Sequence, residues 1–257
     1  MSKLIVIVSG KGGVGKTTTT INLGAAINSL GGDVVVVDGN LSTPNVGVHL
    51  NSPEVPINLH HVLNNKADLI EAVYEHESGL KIIPASLSVK DLRKVKIDRL
   101  KDLKKDFLGL ADYILVDSSA GLGEEALATI QLADEIIIIT NPEMPAITDA
   151  LKTIKTAESY KKPITGVIVT RVKKNDIEMH PDVVKDMLEI PVLGMIPEDI
   201  NVSKALSIRN AVIHIYPKAK SSRAYKELAS RITGLPYDAN QDKETIFEKI
   251  ARAFGKD

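Results

Sequence analysis

The clearest chemistry in this chain lies near its amino end, in Gly10-Lys11-Gly12-Gly13-Val14-Gly15-Lys16-Thr17-Thr18. The spacing fits G-x-x-x-x-G-K-[ST], a loop whose residue types suit the phosphates of a nucleotide. Small residues let successive backbone N–H groups point inward as an anion nest. Gly10, Gly12, Gly13 and Gly15 remove the Cβ atoms that would block that approach, and the amino end of the following helix adds positive dipole. Lys16 brings a mobile charge for the β- and γ-phosphates, and the Thr17 hydroxyl suits Mg²⁺. Val14 and Thr18 complete the phosphate-contacting run. Lys11 is a second cation, one that the plain motif does not require.

Two acids are placed to act with this loop. Val34-Val35-Val36-Val37-Asp38 and Tyr113-Ile114-Leu115-Val116-Asp117 are apolar runs that each end in a carboxylate. An acid at the end of a buried strand beside such a loop is placed to hold Mg²⁺ or its waters. After Asp117, Ser118-Ser119-Ala120-Gly121-Leu122-Gly123 reads as a mobile loop whose backbone senses a γ-phosphate.

The elements around these residues have the order the motif needs. Leu4 to Val8 is a continuous apolar run, as in a buried parallel strand. Beyond the loop, Ile21, Leu23, Gly24, Ile27 and Leu30 keep helical spacing until Gly31-Gly32. Strands are expected at 3–9, 33–38, 80–84, 113–117, 135–140, 164–170 and 192–196, with a shorter one at 212–215. Helices are expected at 16–30, 96–108, 123–132, 146–160, 181–189, 220–233 and 243–254. The alternation predicts an α/β fold with a mostly parallel sheet and helices on both faces, of the P-loop NTPase kind. Ligands then bind at the carboxyl ends of the strands, where the loops 9–17, 38–45 and 117–123 leave the sheet. Gly234 to Gln241 breaks the helical pattern and is rich in turn formers. The expected division is therefore a nucleotide-binding domain at 1–233, a linker at 234–242 and a terminal helix at 243–257.

Composition narrows the function. The 257 residues include no cysteine, which excludes disulfides, thiolate zinc sites and cysteine-held iron–sulfur clusters within the chain. The net charge is −1, so there is no globally basic coat for nucleic acid. No apolar run approaches the ~20 residues that span a bilayer, and a core strand at the start argues against a signal peptide. His60-His61 and the other histidines lack ligand spacing with acids, and no nucleophile–base–orienter set suggests acyl transfer.

The loop KGGVGKTT, the strand end VVVDGN and the segments YILVDSSAGLGEEA, IIIITNPEMPAITDA and VLGMIPEDINVSKA together resemble the MinD/ParA group of deviant Walker A ATPases, most of all its MinD branch. The resemblance covers residues 1–233, and the tail has a counterpart. It implies an ATP- and Mg²⁺-dependent ATPase in which ATP closes two copies face to face. Lys11 would then reach the partner copy's phosphates, as an arginine finger does. Thr17 and Asp117 would handle Mg²⁺, Asp38 would sit near its waters and the attacking water, and Gly121 would report the γ-phosphate. Thr170, Arg171, Pro197, Glu198 and Asp199 would flank the adenine. Asp149 would lie near the dimer and partner surface. A partner protein and spatial regulation of cell division or polar positioning are also implied, with the protein cytoplasmic and peripheral at the inner face of the cell membrane.

Two segments bear on partners. In 243–257, Ile246, Phe247, Ile250, Ala251 and Phe254 form one apolar arc opposite Glu248, Lys249, Arg252 and Lys256. This suits a helix lying in a membrane interface, or one packed on protein. Lys90, Arg93, Lys94, Lys96, Arg99, Lys101, Lys104 and Lys105 alternate with Asp91, Asp98, Asp102 and Asp106. Such a segment makes a solvated helix face, or a surface for nucleic acid, anionic lipid or an acidic partner. The latter keeps open a ParA-like partition ATPase whose ATP dimer binds DNA nonspecifically. A metabolic ligase or kinase of the same fold would need a small-molecule pocket that nothing here specifies.

The chain departs from the group at one point. Two residues after the acid matching Asp38 the group usually has a second acid, and here stands Asn40. An amide hydrogen-bonds water but does not take its proton, whereas phosphoryl transfer depends mainly on positioning and charge. ATP binding is therefore expected intact and turnover slow, with Lys11, Lys16, Asp38 and Asn40 as the catalytic set. Steady-state phosphate release should rise when Asn40→Asp is introduced; a wild type as fast as that variant would refute the inference.

Overall fold

The computed structural model describes residues 2–52, 55–92, 95–173, 178–240 and 242. Eight strands form one sheet: β1 (Lys3–Ser9), β2 (Val34–Gly39), β3 (Tyr74–Glu75), β4 (Lys81–Ile83), β5 (Tyr113–Ala120), β6 (Glu135–Thr140), β7 (Ile164–Val172) and β8 (Val192–Pro197). Their order is β3-β4-β2-β5-β1-β6-β7-β8, and every pairing is parallel except β3 with β4. The helices are α1 (Lys16–Ser29), α2 (Val46–His49), α3 (Leu59–Leu63), α4 (Val89–Leu92), α5 (Lys104–Phe107), α6 (Glu124–Leu132), α7 (Met144–Ser159), α8 (Pro181–Leu188), α9 (Ile200–Ser207), α10 (Val212–Ile215) and α11 (Lys220–Thr233).

The central strands are apolar throughout because both faces are covered. Alternate residues feed two cores. Leu4, Val6 and Val8 join Ile130, Leu132, Ile147 and Ile154 of α6 and α7 on one face. Ile5 and Ile7 join Ile21, Ile27, Tyr225 and Leu228 of α1 and α11 on the other. The chain leaves β1 toward β2 across one face and β5 toward β6 across the opposite face. The carboxyl ends of β1, β2 and β5 are thus left open between diverging connections, where ligands of open α/β sheets bind.

Several expected elements differ. The apolar run at 212–215 is helix α10, not a strand; Val212 and Ile213 are buried, and a short apolar run reads alike in either form. The stretch 96–108 is a 3₁₀ helix over Ile97–Leu103 followed by α5. Ile97, Leu100 and Leu103 stand three apart, the period of a 3₁₀ turn, and the four-residue step to Phe107 restores α winding. Strand β3 and helices α2, α3 and α4 are too short for periodicity to show. Helix α9 has no counterpart among the expected elements, although Asp199 caps it by accepting from the Asn201 N–H at 3.1 Å.

Leu235, Tyr237 and Asp242 are held against the body. Ser230 Oγ donates to the Leu235 carbonyl at 2.6 Å, and Lys226 Nζ reaches Asp242 at 2.7 Å with Tyr237 OH beside it. The expected helix 243–257 lies outside the described residues, as do Arg93 and Lys94 of the basic segment. Of the rest of that segment, Lys104 pairs with Asp134 and Arg99 caps the Leu63 carbonyl. Among the described residues no helix is long and apolar enough to cross a membrane.

Helix α1, which carries the phosphate loop, lies close on the sheet because Gly24 has no side chain. A Cβ there would stand 2.5 Å from Val36 Cγ2. Gly24→Val should cost about 2–3 kcal/mol by overpacking, lowering the thermal midpoint by roughly 4–12 °C. Calorimetry that found an unchanged midpoint would refute this close packing.

Candidate functional site

Asp117 is the hub of the site. It is fully buried at the carboxyl end of β5. Its Oδ1 accepts from Lys16 Nζ at 2.8 Å and Thr20 Oγ1 at 3.2 Å, and its Oδ2 from Thr17 Oγ1 at 2.6 Å. Lys16 also donates to the Ser118 carbonyl and is only 7% exposed. One carboxylate thus joins the first turn of α1 to β5. A buried charge persists only when paired and hydrogen-bonded, and here each oxygen has donors.

Asp38 lies beside Asp117 in the β2–β5 register and is likewise fully buried. Its Oδ1 accepts from the Asn40 N–H at 3.2 Å, and its Oδ2 from the N–H groups of Asn45 and Val46 at 2.8 and 2.9 Å. The carboxylate therefore folds the 40–45 loop over itself and anchors the start of α2. Burial, then repulsion from Asp117, pushes its pKa up to about 7 against these lowering hydrogen bonds. Asn40 is occupied at both ends: Nδ2 donates to the Thr43 carbonyl at 2.6 Å, and Oδ1 accepts from Thr43 Oγ1 at 3.0 Å.

The loop between β1 and α1 has the conformations its glycines permit. Gly13 and Gly15 have φ of +81° and +88°, and Gly15 is the N-cap that precedes α1. A Cβ on Gly10 would collide with the Asp149 carbonyl of α7, so α7 packs directly on the loop. Asp149 itself pairs with Lys152. A cleft of about 360 Å³ opens over Gly12, Gly13, Lys16 and Thr17, bounded by Lys11, Asn40, His49 and Arg171. Lys11 is exposed, and its ammonium has no partner among the described residues. Gly121, at φ +80°, donates its N–H to the Ser9 carbonyl at 2.9 Å.

A second cavity of about 190 Å³ shares Gly15, Thr18 and Arg171 with the first. Thr170, Pro197, Glu198, Asp199 and Tyr225 also line it. Thr170 Oγ1 lies 2.5 Å from the Val14 carbonyl, tying β7 to the phosphate loop. Asp199 accepts from Ser221 as well as Asn201. Burial alone would raise its carboxyl, yet these donors hold it below the usual range. Burial pushes the Tyr225 hydroxyl up to about 12, so it stays neutral and shares a hydrogen bond with the Thr19 hydroxyl at 3.3 Å.

The donor set suits a nucleotide with Mg²⁺: a nest of N–H groups, Lys16, and converging hydroxyl and carboxylate oxygens on Thr17 and Asp117. A family model for the CobQ/CobB/MinD/ParA nucleotide binding domain matches residues 5–211. The chain belongs to this family. An uncharacterized ATP-binding protein of Methanocaldococcus jannaschii is 36% identical over 256 residues, covering 98% of this chain and 97% of the relative. The structure of the septum site-determining protein MinD complexed with Mg-ADP from Pyrococcus horikoshii OT3 has a TM-score of 0.87 at 31% identity, over 95% of this chain and 100% of that one. MinD in the MinC:MinD cell division complex of Aquifex aeolicus gives 0.82 at 30%, over 92% and 98%. The chain is a P-loop ATPase of MinD/ParA type.

The fold of this ATPase brings together all three loops that the strand ends suggested. Sequence reasoning passed over two residues at the site. Glu125 accepts from both the N–H and the hydroxyl of Ser42, clamping α6 to the loop after β2. His49 borders the phosphate cleft. Neither has a local signal; each becomes visible only when β2 and β5 lie side by side.

The Asp38 shift carries a sign. A carboxyl raised from 3.8 to about 7 is favoured protonated in the fold, so its stabilisation is full below about pH 4 and is lost as pH rises to about 7. In nucleotide-free protein the midpoint of wild type, taken relative to Asp38→Asn, should fall across that window and level off above it. A constant difference would refute the assignment.

Proposed function

We propose that this ATPase is a dimerising switch of MinD kind. ATP joins two copies, the joined form sits peripherally on the inner face of the cell membrane and recruits a partner protein, and slow hydrolysis resets it. Spatial regulation of cell division or polar positioning is the process it serves. One observation carries the reading: Lys11 stands exposed at the rim of the phosphate cleft with no partner of its own among the described residues. A cation in that place beside Lys16 repels it, unless phosphates, including those of a second copy, engage it.

In this reading Lys16 exchanges Asp117 and the Ser118 carbonyl for phosphate oxygens, and the Gly10–Thr18 backbone cradles the rest. Thr17 and Asp117 hold Mg²⁺, with Asp38 behind them near its waters. The ion supplies charge neutralisation on the β- and γ-phosphates. Thr170, Arg171, Pro197, Glu198 and Asp199 flank the adenine. The Gly121 N–H must leave the Ser9 carbonyl to meet a γ-phosphate, which makes that loop the reporter of nucleotide state. Asn40, locked to Thr43, makes hydrolysis slow. The Mg-ADP of the Pyrococcus relative and the MinC partner of the Aquifex relative support the cofactor and the protein partner.

Residues 1–233 form the ATPase domain in this account, 234–242 the linker and 243–257 the membrane element. A single short amphipathic helix binds weakly, and pairing two by dimerisation multiplies the attachment. Asp242 belongs with the body through Lys226, so the informative truncation ends there. With a nonhydrolysable ATP analogue, light scattering should show doubled mass for both the full chain and the chain ending at Asp242. Only the full chain should sediment with anionic vesicles. A mass indifferent to nucleotide would overturn the switch, and equal sedimentation of both chains would overturn the role of the tail. Salt-sensitive retention on DNA instead of vesicles would favour a partition ATPase.

A further inference from the structure

We propose that His49 accepts the proton of the water that attacks the γ-phosphate. The inference rests on the ATPase reading of the same cleft and adds the proton acceptor that this reading leaves unassigned.

No carboxylate lines the phosphate cleft among the described residues. Asp117 lies beneath it, engaged by Lys16, Thr17 and Thr20. Asp38 lies beneath it too, engaged by the N–H groups of Asn40, Asn45 and Val46. Asn40 borders the cleft, but its amide takes no proton and both its ends are bound to Thr43. The remaining polar lining consists of hydroxyls, backbone amides, the Asn45 amide and the cations Lys11, Lys16 and Arg171. Among the described residues His49 is the one lining side chain whose neutral form offers a ring nitrogen that can take a proton.

The geometry also sets which ring nitrogen carries that lone pair. His49 ends α2, half-buried, with Nδ1 2.7 Å from the Asn45 carbonyl. A carbonyl only accepts, so Nδ1 carries the hydrogen and Nε2 of the neutral ring bears the lone pair. Nε2 has no hydrogen-bond partner among the described residues. The orienting carbonyl is itself fixed, because Asp38 grips the N–H groups of Asn45 and Val46. Acid, backbone turn and imidazole thus form a base with an orienting group behind it. Lys11 and Lys16 from the phosphate loop and Arg171 from β7 line the same cleft as His49, and a bound triphosphate offsets their charge.

The step balances simply. The water oxygen bonds to the γ-phosphorus while the bond from that phosphorus to the bridging oxygen breaks, leaving its electron pair on ADP. One water proton passes to Nε2, and the imidazolium later returns it to phosphate or solvent. The products are ADP and inorganic phosphate.

The full chain with Mg²⁺ is assayed in single turnover of ATP, alongside calorimetry of a nonhydrolysable analogue, for wild type, His49→Ala and His49→Gln. Both variants should bind the analogue as wild type does and hydrolyse ATP on the order of 100-fold more slowly. Added imidazole should restore part of the His49→Ala rate. Wild-type rates in either variant would overturn the proposal, as would a loss that imidazole does not relieve. Absence of analogue binding by the wild type would instead overturn the parent reading; intact binding with an unchanged rate removes only the role of His49.

Discussion

A single buried carboxylate holds the site together. Asp117 ends the strand beside β1 and gathers Lys16, Thr17 and Thr20 from the first turns of α1. Removing one partner of such a pair costs about 3–5 kcal/mol, because the other charge is left buried and alone. In the proposed function, capture of a triphosphate would exchange one anion for another at Lys16, with the Thr17 hydroxyl and the Asp117 oxygens converging on a cation position. The cradle, helix and strand are joined because they share this one group.

The second acid works differently. Asp38 spends its oxygens on the backbone of the loop that follows it, so the shape of residues 40–46 depends on a carboxylate at the floor of the site. Its neighbour in the sheet is Asp117, and two buried carboxyls in adjacent register raise the cost of ionising both. Glu125 grips Ser42 from α6 and so joins the start of that helix to the loop after β2.

The carboxyl-terminal part of the body shows how a tail can be presented. Leu235, Tyr237 and Asp242 are fastened along α11. In the proposed dimer the two Asp242 positions would set the spacing of the two proposed membrane contacts, which decides whether both can act at once.

Much of the fold was legible in the residues. Runs such as Leu4 to Val8 and Val34 to Val37 are apolar at every position because both sheet faces are covered, and that pattern needs no structure to read. The glycines of the loop announced a close backbone approach, and Lys16 and Thr17 announced phosphate chemistry, since each requirement is local. The helix at Val212–Ile215, the 3₁₀ turn at Ile97–Leu103 and the cap on Asp199 were not legible, because short segments take their form from what packs on them. Sequence by itself determined the family, the layered sheet and the phosphate cradle, all of which rest on neighbouring residues or on period. Only tertiary structure decided that Asn40 is tied to Thr43, that Glu125 holds Ser42 and that His49 turns one ring nitrogen to Asn45 at the edge of the cleft. Those outcomes depend on distances between segments far apart in the chain or on the path of a loop bent by a buried acid, and no linear pattern encodes a distance.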